Sequence, residues 1–315
     1  MHNPEMPYQP RHPACGEFTS IRLHDYHVLT WGRPSASRPP LVLLHGWMDV
    51  AASYQFMVDG LSPAFLGQRL LIAPDWRGFG RTRGPVCDHY VFADYLGDLE
   101  FLLDRYAGDQ PVDLLGHSMG GHAAMLYAGT RPGRIRRLVN LEGFGVPAMQ
   151  PAQTPERLAR WIGEIKDLHA GNNALKTYAS LQEVAARLMK TNRRLPPDKA
   201  EWIARQWAEP RQDAGGATRW HILGDAAHRV INPQPARAED VQALYARISA
   251  PTLMVEASDN SLAIWSKGQY TLEEFHQRIA PIPKLRRATL PDCGHMLHHD
   301  QPQALAALVE QFLED

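Results

Sequence analysis

Apolar residues along the chain fall into two alternating rhythms. Short apolar runs at residues 41–44, 69–73, 112–115, 138–141 and 252–255, with a more mixed run at 285–290, end in glycine-bearing or polar turns. Runs of this length are those of strands buried on both faces. Between them, segments 51–61, 91–106, 121–129, 272–279 and 302–313 repeat apolar residues at intervals of three and four, the period of a helix with one buried face. Strands alternating with helices predict an α/β fold, a mostly parallel central sheet with helices on both faces. Ahead of it, residues 18–23 and 26–31, around a turn at His24-Asp25, read as a hairpin.

The rhythm changes after Gly143. Segment 146–238 offers no parallel strand. Thr154-Pro155-Glu156 opens a helix to about residue 168 with an N-cap and a proline at its first position. Ser180-Leu181-Gln182-Glu183 is a capping box for a helix to residue 190, and Pro197-Asp198 opens a third. Gly215-Gly216 interrupts, and residues 220–223 form a short extended piece. The expectation is a helical lid, 146–238, inserted between two halves of one core, 17–145 and 239–315. Residues 1–16, spaced by Pro4, Pro7, Pro10 and Pro13, are expected to be a loose arm.

Candidate chemistry concentrates after the run 112–115. There Gly116-His117-Ser118-Met119-Gly120 joins a strand directly to a helix, the context in which Gly-x-Ser-x-Gly presents a serine nucleophile on a sharp turn. A general base is expected after the last strand. Asp292-Cys293-Gly294-His295 lies there, and a neutral imidazole is suited to taking a serine proton near pH 7. The order serine, acid, histidine is kept. Two backbone N–H groups should form an oxyanion hole, one from Met119 and one from Trp47 in His45-Gly46-Trp47. Trp47, His117 and Phe144 are expected to line the substrate pocket.

Composition narrows the partners. Lys+Arg total 33 against Asp+Glu 34, and no basic stripe points to nucleic acid or a membrane surface. Three separated cysteines, Cys15, Cys87 and Cys293, make neither a disulfide framework nor a zinc ribbon. No stretch reads as a signal peptide or reaches spanning length, so a cytoplasmic protein is expected. His295, His298, His299 and Asp300 have metal-ligand spacing only on a helix, and Pro302 marks a loop there. No metal is expected.

Taken together, His45-Gly46-Trp47, Asp75-x-x-Gly78-x-Gly80, Gly116-His117-Ser118-Met119-Gly120 and Gly294-His295 resemble the α/β-hydrolase family. Within it, His45-Gly46-Trp47-Met48-Asp49 with Ala52-Ser53, and Leu188-Met189-Lys190-Thr191-Asn192 after Ser180-Leu181, resemble the serine hydrolase-like proteins. The resemblance implies a Ser–His–acid triad, a lid and no cofactor, and it does not fix a substrate; chain length, lid size and aromatic content suggest a small-molecule acyl substrate. It leaves two acids open. The usual family place is the loop holding Asp259, although family spacing there falls on Asn260. The first choice is Glu142, at the end of the run 138–141, a strand end from which some haloalkane dehalogenases take their acid. Ester hydrolysis through Ser118 is the primary expectation. Carbon–carbon hydrolysis, acyl transfer, cofactor-free oxygenation of a heteroaromatic and non-catalytic binding are the alternatives.

Overall fold

A computed structural model describes residues 7–213 and 215–315. Its strands run, in chain order, β1 (Cys15–Ile21), β2 (His24–Gly32), β3 (Leu41–Leu44), β4 (Leu70–Pro74), β5 (Val112–His117), β6 (Ile135–Leu141), β7 (Thr177–Tyr178), β8 (Ala208–Gln212), β9 (Thr218–Ile222), β10 (Thr252–Ala257) and β11 (Leu285–Leu290). Eight of them form one sheet in the order β1-β2-β4-β3-β5-β6-β10-β11. The pairs β1–β2 and β2–β4 are antiparallel, and the pairings from β4 onward are parallel.

Period-two alternation splits the buried residues of each strand between two apolar layers. Val42 and Leu44 of β3, with Leu114 of β5, join the layer that contains helix Phe92–Ala107 and helix Met119–Thr130. Leu41, Leu43 and Leu115 join the opposite layer, with Tyr54, Met57 and helix Pro302–Glu314. Each fully buried Leu or Val contributes about 1.5–3 kcal/mol through removal from water, so both faces hold the parallel strands in place.

Register decides where the site lies. Leu44 pairs with Gly116, His117 with Leu141, and Leu141 with Val255. The carboxyl ends of β3, β5, β6 and β10 therefore stand side by side. The loops leaving them carry Trp47, Ser118, Glu142 and Asp259, at the edge where open α/β sheets place their ligands.

Three expectations need correction. The hairpin turn falls at Arg22-Leu23, two residues earlier than His24-Asp25, with Arg22 at φ 55°. The arm, outside residues 1–6, which lie beyond the described residues, is docked: Asp59 accepts from Tyr8 Oη and from the N–H groups of Arg11 (3.0 Å) and His12 (2.9 Å). The insertion is not purely helical. Between helices Thr154–His169, Leu181–Thr191 and Pro197–Trp207 it builds an antiparallel sheet in the order β7-β9-β8. Its buried residues, among them Tyr178, Val184, Ile203 and Trp207, pack on Val50, Ala52 and Phe56 of the core. The core resumes with helix Ala238–Tyr245, whose Leu244 backbone lies so close to Gly129 that a Cβ there would sit 2.3 Å from its carbonyl oxygen.

Candidate active site

Ser118 stands between the end of β5 and the first turn of helix Met119–Thr130, at φ 52° and ψ −116°. A non-glycine residue there is strained by about 1–3 kcal/mol, and the surroundings hold it. Ser118 N–H donates to Leu141 O (2.8 Å), and Ser118 O accepts from His122 N–H (2.9 Å). The flanking glycines permit the close crossing. A Cβ on Gly116 would lie 2.3 Å from Gly120 O, and one on Gly120 would lie 2.1 Å from Leu44 O.

His295 follows β11 and reaches back over the sheet edge. Its Nε2 lies 3.0 Å from Ser118 Oγ and its Nδ1 lies 3.1 Å from Glu142 Oε2. A carboxylate only accepts, so Nδ1 carries the proton and Nε2 offers its lone pair to the serine hydroxyl. The His295 side chain is 30% exposed, whereas that of Glu142 is fully buried. A buried carboxylate is costly unless its lone pairs are met. Here Oε2 takes His295 and Oε1 takes the Ala257 N–H at 2.8 Å.

Glu142 itself adopts φ 53°. Asn140 shapes that turn: its Oδ1 accepts from Gly143 N–H (2.7 Å) and its Nδ2 donates to Gly143 O (3.1 Å). Asn140 and the Ala257 amide were not among the expected site residues. The signal for Asn140 was a lone amide in the otherwise apolar run 138–141; a backbone amide 115 residues from its partner leaves none.

Asp259 is elsewhere. Its carboxylate is exposed and pairs with Arg194 at 3.3 Å. Water and a guanidinium satisfy it, and among the described residues no bond joins it to His295.

The loop after β3 closes against the nucleophile. A Cβ on Gly46 would lie 3.2 Å from Ser118 Cβ. His45 braces this loop, with Nδ1 2.7 Å from Gly46 O and Nε2 accepting from Trp76 N–H at 2.9 Å. The Trp47 and Met119 N–H groups donate to no other group among the described residues. Met119 also opens the helix, where the positive end of the dipole lies. Asp75 holds the same corner, accepting from Ala51 N–H (2.7 Å) and Arg81 N–H (2.9 Å) and facing His27 Nδ1 at 2.7 Å. Burial alone would raise its pKa, but the bond from His27 and the surrounding donors outweigh burial and hold it below the usual range.

The three expected pocket residues part company. Trp47 is exposed and donates Nε1–H to His228 O of the insertion (3.3 Å). Phe144 is buried edge-on against Phe275, and His117 is buried with Nε2 2.8 Å from His295 O. The expectation that these two face a substrate is therefore corrected: Phe144 is core, and His117, pointing to the opposite face of β5 from the serine's helix, supports the His295 backbone. His298 and His299 lie in a short helix, Leu297–Asp300, not a loop, and both are buried.

With this geometry in place, the comparison with known proteins is direct. The pattern of the alpha/beta hydrolase fold matches residues 39–302. The chain belongs to that family. A probable serine hydrolase of Drosophila melanogaster is 30% identical over 139 residues, covering 44% of this chain and 39% of that protein. A serine hydrolase-like protein of Danio rerio is 22% identical over 289 residues, 90% of this chain and 83% of its own. Among solved structures, a hypothetical protein of Pseudomonas aeruginosa PAO1 superposes with a TM-score of 0.80 at 24% identity, covering 95% of this chain and 99% of that one. The alignment with the Drosophila relative thus spans about two fifths of that protein's length. No helix among the described residues is long and apolar enough to cross a membrane.

Proposed function

We propose that the protein is a serine hydrolase that cleaves a carboxylic ester or related small acyl compound through an acyl-enzyme on Ser118. The observation that carries this reading is the unbroken chain Ser118 Oγ–His295–Glu142, with contacts of 3.0 and 3.1 Å. Ser118 Oγ attacks the carbonyl carbon while His295 Nε2 takes the hydroxyl proton. The carbonyl electrons move onto oxygen, where the Met119 and Trp47 N–H groups receive the charge. The tetrahedral intermediate collapses, and His295 returns the proton to the departing alcohol. Water, deprotonated by His295, then attacks the acyl-enzyme, and the acid and free Ser118 are released. Glu142 fixes the His295 tautomer and stabilises the imidazolium without taking its proton. Segment 146–238 acts as a lid, anchored to the oxyanion loop through the Trp47–His228 contact.

The experiment is labelling with a fluorophosphonate, followed by peptide mass spectrometry and hydrolysis of a p-nitrophenyl ester chain-length panel. Adduct on Ser118 and loss of turnover in Ser118→Ala are expected. Turnover that survives Ser118→Ala unchanged overturns the reading. If that surviving turnover is oxygen uptake with an aromatic substrate, the serine is not the nucleophile and cofactor-free oxygenation takes its place.

A further inference from the structure

Next to the triad lies a group of polar side chains that the proposed reaction does not use. Asp49 lies in the loop after β3, His117 ends β5, and His298 lies in the helix Leu297–Asp300 beyond β11. One potential ligand atom from each lies within 4.8 Å of the others. The His117 and His298 rings are 4.5 Å apart between centroids, and His298 Nε2 is 3.9 Å from Asp49 Oδ2. We propose that Asp49, His117 and His298 form a binding site for a borderline-soft divalent cation of the zinc or cobalt type.

The first argument is hydrogen-bond satisfaction. Asp49 Oδ2, His117 Nδ1 and His298 Nδ1 are each buried with no partner among the described residues. His117 is 2% exposed and His298 is 0% exposed. A buried polar atom left unsatisfied costs about 1–3 kcal/mol. The three side chains each bring a ligand atom within 4.8 Å of the others, so one shared ligand would relieve them together.

The second argument is protonation. His117 Nε2 faces the His295 carbonyl at 2.8 Å. A carbonyl only accepts, so Nε2 carries the hydrogen and Nδ1 presents a bare lone pair. His117 therefore offers a lone pair in the buried cluster that also holds Asp49 and His298.

The third argument is the surroundings. Ligating histidines ordinarily hold a carbonyl, carboxylate or hydroxyl on the nitrogen that does not bind metal. His117 holds the His295 carbonyl, and His298 Nε2 holds Ser53 Oγ at 2.9 Å. Two imidazoles and one carboxylate are a donor set that catalytic zinc sites use, with a water completing the tetrahedron. Bonds of about 2.0–2.2 Å put ligand atoms about 3.4 Å apart, so the side chains must turn inward on binding. The neighbours are already committed. His299 Nε2 takes Ser53 Oγ at 2.7 Å, Asp300 takes Gly294 N–H at 2.8 Å, and His295 belongs to the triad.

This departs from the expectation of no metal, and it stands whether or not Ser118 is the nucleophile. The site would tie the loop after β3 and the helix Leu297–Asp300 to His117, the residue preceding the serine, which transmits the constraint to the His295 backbone. The test titrates zinc into chelator-stripped full-length protein by calorimetry against a chromophoric chelator, for wild type, Asp49→Asn and His298→Gln. One equivalent is expected to bind to wild type. Each variant should bind at least about 10-fold more weakly, the scale that changes even beyond the ligands reach. Absence of binding, or affinity unchanged in both variants, overturns the site. Zinc-soaked wild-type crystals give a reading independent of variant folding. An anomalous peak among the three side chains supports the proposal. A peak only elsewhere, or ordered water alone, overturns it.

Discussion

A single carboxylate decides how the histidine beside Ser118 is held, and the two acids the sequence offers are in opposite surroundings. Glu142 is buried with both oxygens engaged, one by His295 and one by the Ala257 N–H. Asp259 is exposed and paired with Arg194, an arrangement worth about 0–1 kcal/mol at most. Glu142→Gln keeps the shape but removes the charge and lets an amide N–H face Nδ1, which favours the wrong tautomer. Turnover is expected to fall by about 10⁴-fold, the loss seen when a triad acid becomes an amide, while Asp259→Asn stays within a few-fold of wild type. Steady-state kcat for both variants, on whichever ester the panel selects, checks this. The reverse ranking would return the role to Asp259. At this scale the placement of Ser118, His295, Met119 and Trp47 beside strand ends was readable because each sits in a short motif there. The acid was ambiguous because its environment is made by residues far away. Glu142 needs an amide contributed from β10, and Asp259 needs Arg194 from the insertion, and neither partner is a neighbour in sequence.

The elbow is an element whose geometry rests on absent side chains. Gly120 lies against β3, and a methyl there would meet Leu44 O at 2.1 Å and His45 O at 2.6 Å. Both obstacles are backbone, and the β3 backbone cannot yield without disturbing its pairing to β5. Gly120→Ala is therefore expected to destabilise by about 1–3 kcal/mol or more, the range for overpacking a tight core site, and to lower turnover in the proposed reaction by displacing the Trp47 loop. Gly133→Ala is the control, because nothing lies within 4 Å of a Cβ there. Urea midpoints for the two variants should differ clearly, with Gly133→Ala close to wild type. Equal midpoints would mean that the crossing is looser than these distances state. Elements with a strong period were legible in sequence: the apolar runs of the parallel sheet, and the helix Leu272–Ile279, whose bounds agree with the expected 272–279. Strand β8 was not, because it is short, largely exposed and carries Pro210, while β9 showed only as the short extended piece at 220–223. Their pairing is set by the fold around them. The same holds for His298 and His299, where Pro302 hid one turn of helix.

For the whole molecule, the consequence of this packing is a fold that depends on neutral histidines. Burial lowers His122 to about 4 and His228 and His299 to about 3. His117 and His298 are also held well below the usual value, by burial and by neighbouring imidazoles. The corresponding unfolded value is about 6.5. Below it the unfolded chain binds protons that the folded chain refuses, so the stability these residues contribute is complete above about pH 6.5 and is lost as pH falls toward their folded values. Asp49, raised to about 6 by burial, has the opposite sign, since between its unfolded value and 6 the folded form holds the extra proton. One such group offsets one histidine, and five histidines face it. Each unbalanced group changes stability by about 1.4 kcal/mol per pH unit. Unfolding free energy from urea titrations, with a chelator present to exclude bound cations, is therefore expected to fall between pH 7 and pH 5 by more than one group's slope. His299→Gln should flatten that dependence by about one group, while costing stability at pH 7 through the lost contact with Ser53. A stability that is level or rising as pH drops across this window would mean that these side chains are reached by water in the folded state, and the packing of the 49–53 segment against the helix Leu297–Asp300 would need to be redrawn.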